Sequence, residues 1–255
     1  MPIRQTDRQQ PLTTKMSQIE SIIILTGAGI SAESGLPTFR DKDGLWEGHR
    51  VEDVACPEAF RRDPVLVHWF YNLRRAALRA VEPNAAHLAL ARLQRGLPGP
   101  GAVTIITQNV DDLHERAGCA GVIHMHGELR QARCTCCGCG TEWDGDLDTT
   151  TPCPSCGRAG GMRPDIVWFG EIPYQMERIE SLLLRATVFA AIGTSGLVQP
   201  AAGFVSLAKL IGARTVEINT APTMISGSFD EHRTGPATRE VPRWVEEVLG
   251  EVASE

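Results

Sequence analysis

The chain has 255 residues, a formal net charge of −6 and 42% hydrophobic residues. The length suits one domain with an insert or two small domains, and the hydrophobic content is enough for a sizeable core. The acidic balance argues against generic nucleic-acid binding through a basic surface, and no apolar run approaches the ~20 residues that a membrane helix needs.

Residues 1–17 are polar and carry no apolar stretch like that of a signal peptide, so we expect a loose N-terminal tail, with Met16 as a second candidate start. The first predicted strand is Ser21–Leu25, a short apolar run that stops at a turn of small residues. Gly27 and Gly29 let this turn bend and let a ligand approach it. A helix that begins near Ile30–Ser31 would add its positive end, so the stretch predicts a phosphate-binding site.

The glycine spacing differs from that of ordinary dehydrogenases. Their fingerprint is G-x-G-x-x-G, whereas the next glycine after Gly29 is Gly35. A tight turn without a ligand is the alternative to a phosphate site. Pro37–Arg40 favours the ligand, because this segment places an aromatic ring and a guanidinium where a dinucleotide could meet both.

Helices and strands alternate along the rest of the chain. The predicted helices are Pro57–Ala80, Asn84–Arg95, Met176–Ala186, Phe204–Ile211 and Pro242–Leu249, the last with its proline in the first turn. The predicted strands are Val103–Ile106, Val122–His124, Thr187–Ile192 and Arg214–Ile218, with a further extended segment at Ile166–Phe169. This alternation predicts an α/β fold with a parallel sheet and helices on both faces.

Polar clusters follow four of the predicted strands. They are Gly27–Ser31, Gln108–Asp111, Gly193–Ser195 and Asn219–Ala221. Ligands of parallel sheets bind beyond the carboxyl ends of the strands, so we expect these clusters to form one shared crevice.

Six of the eight cysteines lie between Cys134 and Cys156, which indicates a metal site in a reducing, cytoplasmic compartment. The two C-x-x-C pairs Cys134/Cys137 and Cys153/Cys156 predict a closed, structural zinc site that contributes on the order of 10 kcal/mol to local folding. Cys136 and Cys139 are also spaced C-x-x-C, which leaves the register of the first pair open. A catalytic zinc with His124 or His126, and a DNA-binding zinc ribbon, are weaker alternatives because four cysteines complete the shell and the chain is acidic.

Several motifs together resemble the sirtuin family of NAD-dependent protein lysine deacylases. They are GAGIS-AESG-LP-TFR, TQNVDDLH, His126-Gly127, the two C-x-x-C pairs, VWFGE and GTS, in this order. The resemblance runs from about Ile22 to the C-terminal helix, with Leu36 and Val110 where isoleucine is common. It implies a large Rossmann-like domain and a small zinc domain, with NAD and an acylated protein lysine meeting between them, and neither nucleic acid nor membrane as a partner. The family's Arg-Cys-x-x-Cys pattern favours Cys134 and Cys137 as ligands.

The resemblance also implies domain boundaries. Residues 18–40, 101–130 and 165–255 would form the Rossmann-like domain, residues 41–100 a helical insert that contributes to the acyl pocket, and residues 131–164 the zinc module.

Carried over by motif, a set of residues is expected to contact NAD. It comprises Gly27, Ala28, Gly29, Ile30, Ser31, Ala32, Glu33, Pro37, Thr38, Phe39, Arg40, Trp46, Gln108, Asn109, Val110, Asp111, Gly193, Thr194, Ser195, Asn219, Thr220, Ala221 and Ala237. Val167, Trp168, Phe169 and Gly170 resemble the strand that pairs with the substrate peptide. His126 resembles the catalytic base, which takes a proton from a ribose hydroxyl, and Asn109 and Asp111 assist it. His124 and His114 are expected to be structural.

The acyl preference is predicted from the first long helix. Tyr71 and Arg74 lie one turn apart on one helical face, and a solvated arginine is the ordinary outcome for such a pair. Tyr-x-x-Arg at this place nevertheless resembles the bacterial desuccinylase-like branch, in which arginine and tyrosine bind a free carboxylate. Ala55 matches the small residue that widens the channel in that branch. We therefore expect succinyl and malonyl groups, and also acetyl, to be removed.

Two other functions fit parts of the pattern. One is a nucleotide-binding zinc protein without chemistry, against which His126, Asn109 and Asp111 argue. The other is mono-ADP-ribosyl transfer to a protein side chain through the same activated ribose carbon.

Overall fold

The computed structural model of the protein describes residues 21–38, 48–97, 99 and 101–253. Within these ranges, the strands are β1 Ile22–Thr26, β2 Val103–Thr107, β3 Ile123–His124, β4 Gly127–Cys134, β5 Gly140–Glu142, β6 Met162–Ile166, β7 Val188–Ile192, β8 Arg214–Asn219 and β9 Glu231–Thr234. The α-helices are α1 Val51–Val54, α2 Pro57–Arg62, α3 Pro64–Arg79, α4 Ala85–Gly96, α5 Leu113–Arg116, α6 Met176–Leu183, α7 Phe204–Leu210 and α8 Ala237–Ala253. No helix in the described part of the chain is both long and apolar enough to span a lipid bilayer.

The larger sheet has six parallel strands in the order β3-β2-β1-β7-β8-β9. Strand β1 lies inside it and is buried on both faces. Ile22 and Ile24 pack with α4 and α8 on one face, whereas Ile23 and Leu25 pack with α6 and α7 on the other. The predicted parallel α/β sheet with helices on both faces is confirmed.

The second sheet is small and antiparallel, in the order β5-β4-β6. Beside it lies a separate apolar cluster that contains Leu147, Met162 and two of the cysteines, Cys134 and Cys153. The sequence did not indicate β4, β5 or β9. The strand β9 reads EHRT, so it has no apolar pattern by which the sequence could reveal it. Its charged side chains form ion pairs, such as Arg214–Glu231 at 2.7 Å.

The prediction that a helix begins near Ile30–Ser31 is wrong. Two short 3₁₀ turns, Ala28–Ile30 and Ala32–Ser34, follow β1 instead. Ser31 lies between them with its hydroxyl bonded to other segments, and Gly35 ends the second turn at a φ of +101°. A short 3₁₀ turn aligns few peptide dipoles, so its first residues carry little of the positive potential that an α-helix N-terminus would supply.

Two other helix predictions also require correction. The single helix Pro57–Ala80 is broken at Asp63, whose carboxylate accepts the Leu66 N–H at 3.0 Å and caps α3, with Pro64 at its first position. The closing helix begins at Ala237, so Pro242 lies in its interior rather than in its first turn. Its true start is capped from far along the chain, which local sequence cannot reveal: the Glu33 carboxylate accepts the Thr238 N–H at 3.0 Å.

Candidate active site

Two glycine turns meet, backbone against backbone, at the carboxyl edge of the large sheet. The Gly27 N–H donates to the Ile192 carbonyl at 3.0 Å, and the Gly29 N–H donates to the Gly193 carbonyl at 2.9 Å. A Cβ atom on Gly29 would lie 2.6 Å from the Gly193 Cα, and Gly193 itself has a φ of +61°. The glycines are therefore needed for contact between the turns, a reason that the sequence did not reveal.

Behind these turns, Ser31 joins the glycine loop to the segment after β2. The Asn109 side-chain amide donates to the Gly27 carbonyl at 3.2 Å and to the Ser31 hydroxyl at 3.1 Å. The Ser31 hydroxyl in turn donates to the Asp111 carboxylate at 3.0 Å. Both amide hydrogens of Asn109 are thus engaged, and its side-chain oxygen accepts no hydrogen bond from the described part of the chain.

Asp111 is almost fully buried, at 5% exposure. Burial raises its pKa to about 6, although its carboxylate accepts hydrogen bonds from the Leu113 N–H and from Ser31. The carboxylate is therefore mostly ionised at neutral pH and close to its titration range.

His126 lies at the same edge of the sheet, half-buried and directly before β4. Its Nδ1 atom is 3.1 Å from the Gln108 carbonyl, which can only accept, so Nδ1 carries the proton and Nε2 carries the lone pair of the neutral ring. Burial lowers the pKa of His126, so the ring is neutral at pH 7. Gln108 precedes Asn109, which is itself bonded to Gly27. The imidazole is therefore bonded to the segment that also contacts the glycine turn.

The other nearby histidines have protein partners. His124 Nε2 lies 2.8 Å from the Glu115 carboxylate, and His114 Nε2 lies 3.0 Å from the Thr26 hydroxyl. His87, which the sequence did not single out, accepts the Asn84 N–H with Nδ1 and places Nε2 3.5 Å from the Ser31 hydroxyl. The Asn-x-x-His spacing could have indicated that His87 takes part in a helix N-cap, but it gives no sign of the approach to Ser31.

The remaining residues predicted to contact NAD divide into three groups. Gly193, Thr194 and Ser195 follow β7, whereas Asn219 is the last residue of β8 and is followed by Thr220 and Ala221. The Asn219 amide joins the two segments by donating to the Thr194 carbonyl at 2.7 Å. Ala28, Ile30, Ala32, Glu33, Pro37, Thr38 and Val110 lie along the segments after β1 and β2, and Ala237 opens α8. Phe39, Arg40 and Trp46 lie outside the described residues.

The four cysteines of the favoured register lie together. The Sγ atoms of Cys134 and Cys156 are 3.8 Å apart, those of Cys137 and Cys153 are 3.7 Å apart, and all four lie within 4.8 Å of one another. A tetrahedral zinc site with Zn–S bonds of about 2.3 Å has sulfur–sulfur edges of about 3.8 Å. The 3.8 and 3.7 Å distances match this value, so the four cysteines fit a single zinc ion, and Cys136 and Cys139 are not members of this set.

Several of the residues predicted to bind the substrate are linked to the segment of residues 167–170 by hydrogen bonds. The Tyr71 hydroxyl accepts the Trp168 indole N–H at 2.9 Å, and Arg74 follows one turn later on α3. The Phe169 N–H donates to the Ala55 carbonyl at 2.9 Å, and the Val167 N–H donates to the His126 carbonyl at 2.9 Å. The segment from Val167 to Gly170 thus touches both the helical insert and the histidine loop.

Comparisons with known proteins identify the family. Residues 27–200 match the model of the Sir2 family. An NAD-dependent protein deacylase of Bdellovibrio bacteriovorus is 56% identical over 232 residues, which cover 90% of this chain and 97% of the relative.

Solved structures agree. A Sir2 homologue in complex with NAD superimposes with a TM-score of 0.80 at 42% identity, over 90% of this chain and 91% of the homologue. A Sir2 variant with a deacetylated p53 peptide and 3′-O-acetyl ADP-ribose superimposes with a TM-score of 0.76 at 28% identity, over 90% of this chain and 94% of the other. With the two glycine turns, the histidine beside them and the four cysteines in the family's order, these matches show that the chain belongs to the Sir2 family.

Proposed function

We propose that this protein removes acyl groups from lysine side chains of other proteins in an NAD-dependent reaction that yields nicotinamide, O-acyl-ADP-ribose and free lysine. The observation that carries the proposal is the position of His126, a neutral imidazole with its acceptor nitrogen free, next to the residues that surround the glycine turn. The relatives and structures named above act on or contain the same reactants.

The crevice fits a dinucleotide by its donors and acceptors. The Asn109 side-chain oxygen and the ionised Asp111 carboxylate offer acceptors for ribose hydroxyls, and the loops after β7 and β8 offer the polar groups for the adenosine side. Bound NAD would supply an electrophilic ribose carbon from which nicotinamide leaves. The chain's residues hold the sugar, exclude water from it and place the His126 Nε2 lone pair to take the proton of a ribose hydroxyl.

A panel of acetyl-, succinyl-, malonyl- and glutaryl-lysine peptides, incubated with NAD, tests the proposal. The expected result is nicotinamide release that depends on the acyl peptide, with free O-acyl-ADP-ribose detected by mass spectrometry. A modified protein in place of the free product would favour mono-ADP-ribosyl transfer. NAD binding without peptide-dependent nicotinamide release would favour a binding protein.

The pH dependence follows from the state of His126. Its pKa is lowered by burial from 6.5, and only the neutral ring can accept a proton, so kcat/KM is expected to fall on acidification with a midpoint below 6.5. Asp111, with a pKa raised to about 6, titrates in the same region and must stay ionised to accept from ribose. The pH dependence of kcat/KM in Asp111→Asn separates the two groups, because this variant should have a lower rate but keep the acidic fall that comes from His126. A midpoint clearly above 6.5 would contradict the assignment.

The acyl preference forms a second part of the proposal. Arg74 is half-buried and lies one turn after the fully buried Tyr71 on the same helix, and the Tyr71 hydroxyl accepts the indole N–H of Trp168 in the proposed peptide-binding segment. A guanidinium and a phenol at the end of an acyl channel suit a terminal carboxylate. Succinyl-lysine is therefore expected to be processed with a higher kcat/KM than acetyl-lysine, and acetyl-lysine still accepted.

Replacement of Arg74 with methionine is expected to lower the succinyl-to-acetyl ratio of kcat/KM by about 100-fold or more. Two charge-assisted hydrogen bonds of roughly 1.5–3 kcal/mol each would be lost for the succinyl group only. Steady-state kinetics on matched peptides measure the ratio. The control is Arg79→Met, which removes an exposed arginine from the same helix and should leave the ratio unchanged. Equal loss of both activities in Arg74→Met would refute the carboxylate contact.

Zinc is proposed at the four cysteines, where it would cross-link two loops and perform no chemistry, since four thiolates leave no position for water. The protein partners are expected to be acylated proteins; a cytoplasmic location and the absence of nucleic-acid and membrane partners remain predictions.

A further inference from the structure

A buried aromatic side chain connects the peptide-binding segment with the proposed acyl pocket. Trp168 is 2% exposed, and its indole N–H donates to the Tyr71 hydroxyl at 2.9 Å. Its backbone belongs to the segment expected to pair with the substrate peptide. The two rings also lie 6.3 Å apart, centroid to centroid, within the same apolar cluster of the helical insert. One residue thus contacts both parts of the proposed substrate site.

The orientation of the indole is fixed by Arg163 and Glu171. The Arg163 guanidinium lies over the Trp168 ring, 3.3 Å from its centroid, and donates to the Ile166 carbonyl at 2.6 Å. The same guanidinium binds the Glu171 carboxylate through two nitrogens, at 2.8 and 2.9 Å. That carboxylate also accepts the Trp168 backbone N–H at 2.8 Å. The side chain and the backbone of Trp168 are therefore held by the same ion pair.

The arginine of this ion pair is buried, and its glutamate is partly exposed. Arg163 is 4% exposed, and although burial raises the pKa of Glu171, the hydrogen bonds from Arg163 and Trp168 lower it overall, so the pair stays charged. A bidentate pair of this kind restricts rotation more than a single contact does. The indole N–H consequently points in one direction, toward Tyr71.

That direction determines how the Tyr71 hydroxyl can act. A phenol oxygen that accepts an N–H on one side must turn its own proton to the other side, because two donor hydrogens repel each other. Burial raises the pKa of Tyr71 well above its ordinary value, so the phenol keeps its proton at neutral pH. The hydroxyl proton is therefore directed to the side away from the indole.

We propose that Trp168, held by Arg163, is a specificity-determining residue: its indole N–H orients the Tyr71 hydroxyl as a donor toward the terminal carboxylate of the acyl group. The inference rests on the proposed carboxylate preference and adds to it the group that makes Tyr71 a donor. Arg163 is a positioning residue that acts through the indole.

A double-mutant cycle with Trp168→Phe and Tyr71→Phe tests this. Each single variant is expected to lower the succinyl-to-acetyl ratio of kcat/KM by about 10-fold, mainly through the KM of the succinyl peptide, which is the order expected for one hydrogen bond to a charged group. The double variant should lose no more than Tyr71→Phe alone, because Trp168 acts only through the hydroxyl. Additive losses, or an unchanged ratio in Trp168→Phe, would overturn the inference.

Two further variants separate orientation from packing. Phe60 lies 5.4 Å from the Trp168 ring, so Phe60→Leu loosens the packing but retains the N–H, and the ratio should hold. If Trp168→Phe does not fold, a tryptophan analogue with sulfur in place of the indole nitrogen, introduced at position 168, retains the ring shape and removes only the donor. The same fall in ratio is expected from it, and an unchanged ratio would overturn the inference.

Failure of the inference and failure of the proposed preference give different results. If Arg74→Met leaves the succinyl-to-acetyl ratio unchanged, the carboxylate site itself is wrong. If Arg74→Met lowers the ratio and the Trp168 variants do not, the site stands and only the role of Trp168 fails.

Discussion

Replacement of His126 with alanine is expected to lower kcat/KM by ~10²–10⁴ for every acyl-lysine peptide, the range typical for loss of a general base. The physical reason is the arrangement at Nδ1: the Gln108 carbonyl holds that proton, so Nε2 is the nitrogen that can accept another. The measurement is single-turnover formation of O-acyl-ADP-ribose, followed together with nicotinamide release. Loss of both products would show that the imidazole acts before or during nicotinamide departure, whereas retained release would place it later.

The matched control is His124→Gln. His124 is two residues earlier and buried, yet its Nε2 contacts Glu115; although burial lowers its pKa, the Glu115 hydrogen bond and charge raise it overall. Its replacement should affect the thermal midpoint more than the chemistry. If His124→Gln lost as much activity as His126→Ala with an unchanged midpoint, the assignment of the base would have to be reversed.

Loss of one zinc ligand is expected to unfold the small module and abolish activity. Cys153 is buried among Ala132, Leu147 and Met162, so Cys153→Ser removes a ligand and leaves a polar group in that small core. A structural tetrathiolate contributes on the order of 10 kcal/mol to local folding, more than this core can replace. Zinc content by mass spectrometry and protease sensitivity between β4 and β6 provide the measurements.

Cys136→Ser and Cys139→Ser are the controls, because both cysteines lie in the same loop but outside the set of four. Zinc content should stay at one ion per chain in each. Loss of zinc from Cys136→Ser would mean that the alternative register, with Cys136 and Cys139, is the one that binds the metal.

The effect of zinc loss should extend to His126, which directly precedes β4. Gly127 has a φ of +79°, and a Cβ atom there would lie 2.0 Å from the Asp165 carbonyl oxygen, so the histidine loop fits closely against β6. The Val167 N–H also donates to the His126 carbonyl. The four cysteines, the small sheet and the loop that carries His126 are thus connected by direct contacts, so we expect a change at the cysteines to reach His126.

Short-range patterns in the sequence predicted much of the fold. The strand β1 was predicted because four consecutive apolar residues, Ile22 to Leu25, form an uninterrupted run that suits burial on both faces. The spacing of the cysteines indicated a four-thiolate site but left its register open, and the family resemblance favoured the register that the structure shows. The start of α8 was not predicted, since its cap is Glu33, 205 residues away. The 3₁₀ turns were missed for a similar reason: the partners of Ser31 come from the segment after β2.

Arg163 and Glu171 show the same limit within the candidate site. Glu171 belongs to the VWFGE motif, but the sequence indicated no role for it. It indicated none for Arg163 either. Their spacing of eight residues has no helical or strand period, so only the fold reveals that they bind each other and enclose Trp168. Composition and motifs indicate which chemical groups are present, whereas the orientation of a side chain such as Trp168 depends on contacts between residues that no sequence pattern links.

The contact between the two glycine turns has a consequence for protein engineering. Even alanine at position 29 or 193 would drive a methyl group into the opposing main chain, so neither glycine can be replaced without a shift of the facing turn. Thr220 and Ala221 are exposed and unconstrained by such contacts, and a library aimed at a different dinucleotide should begin there.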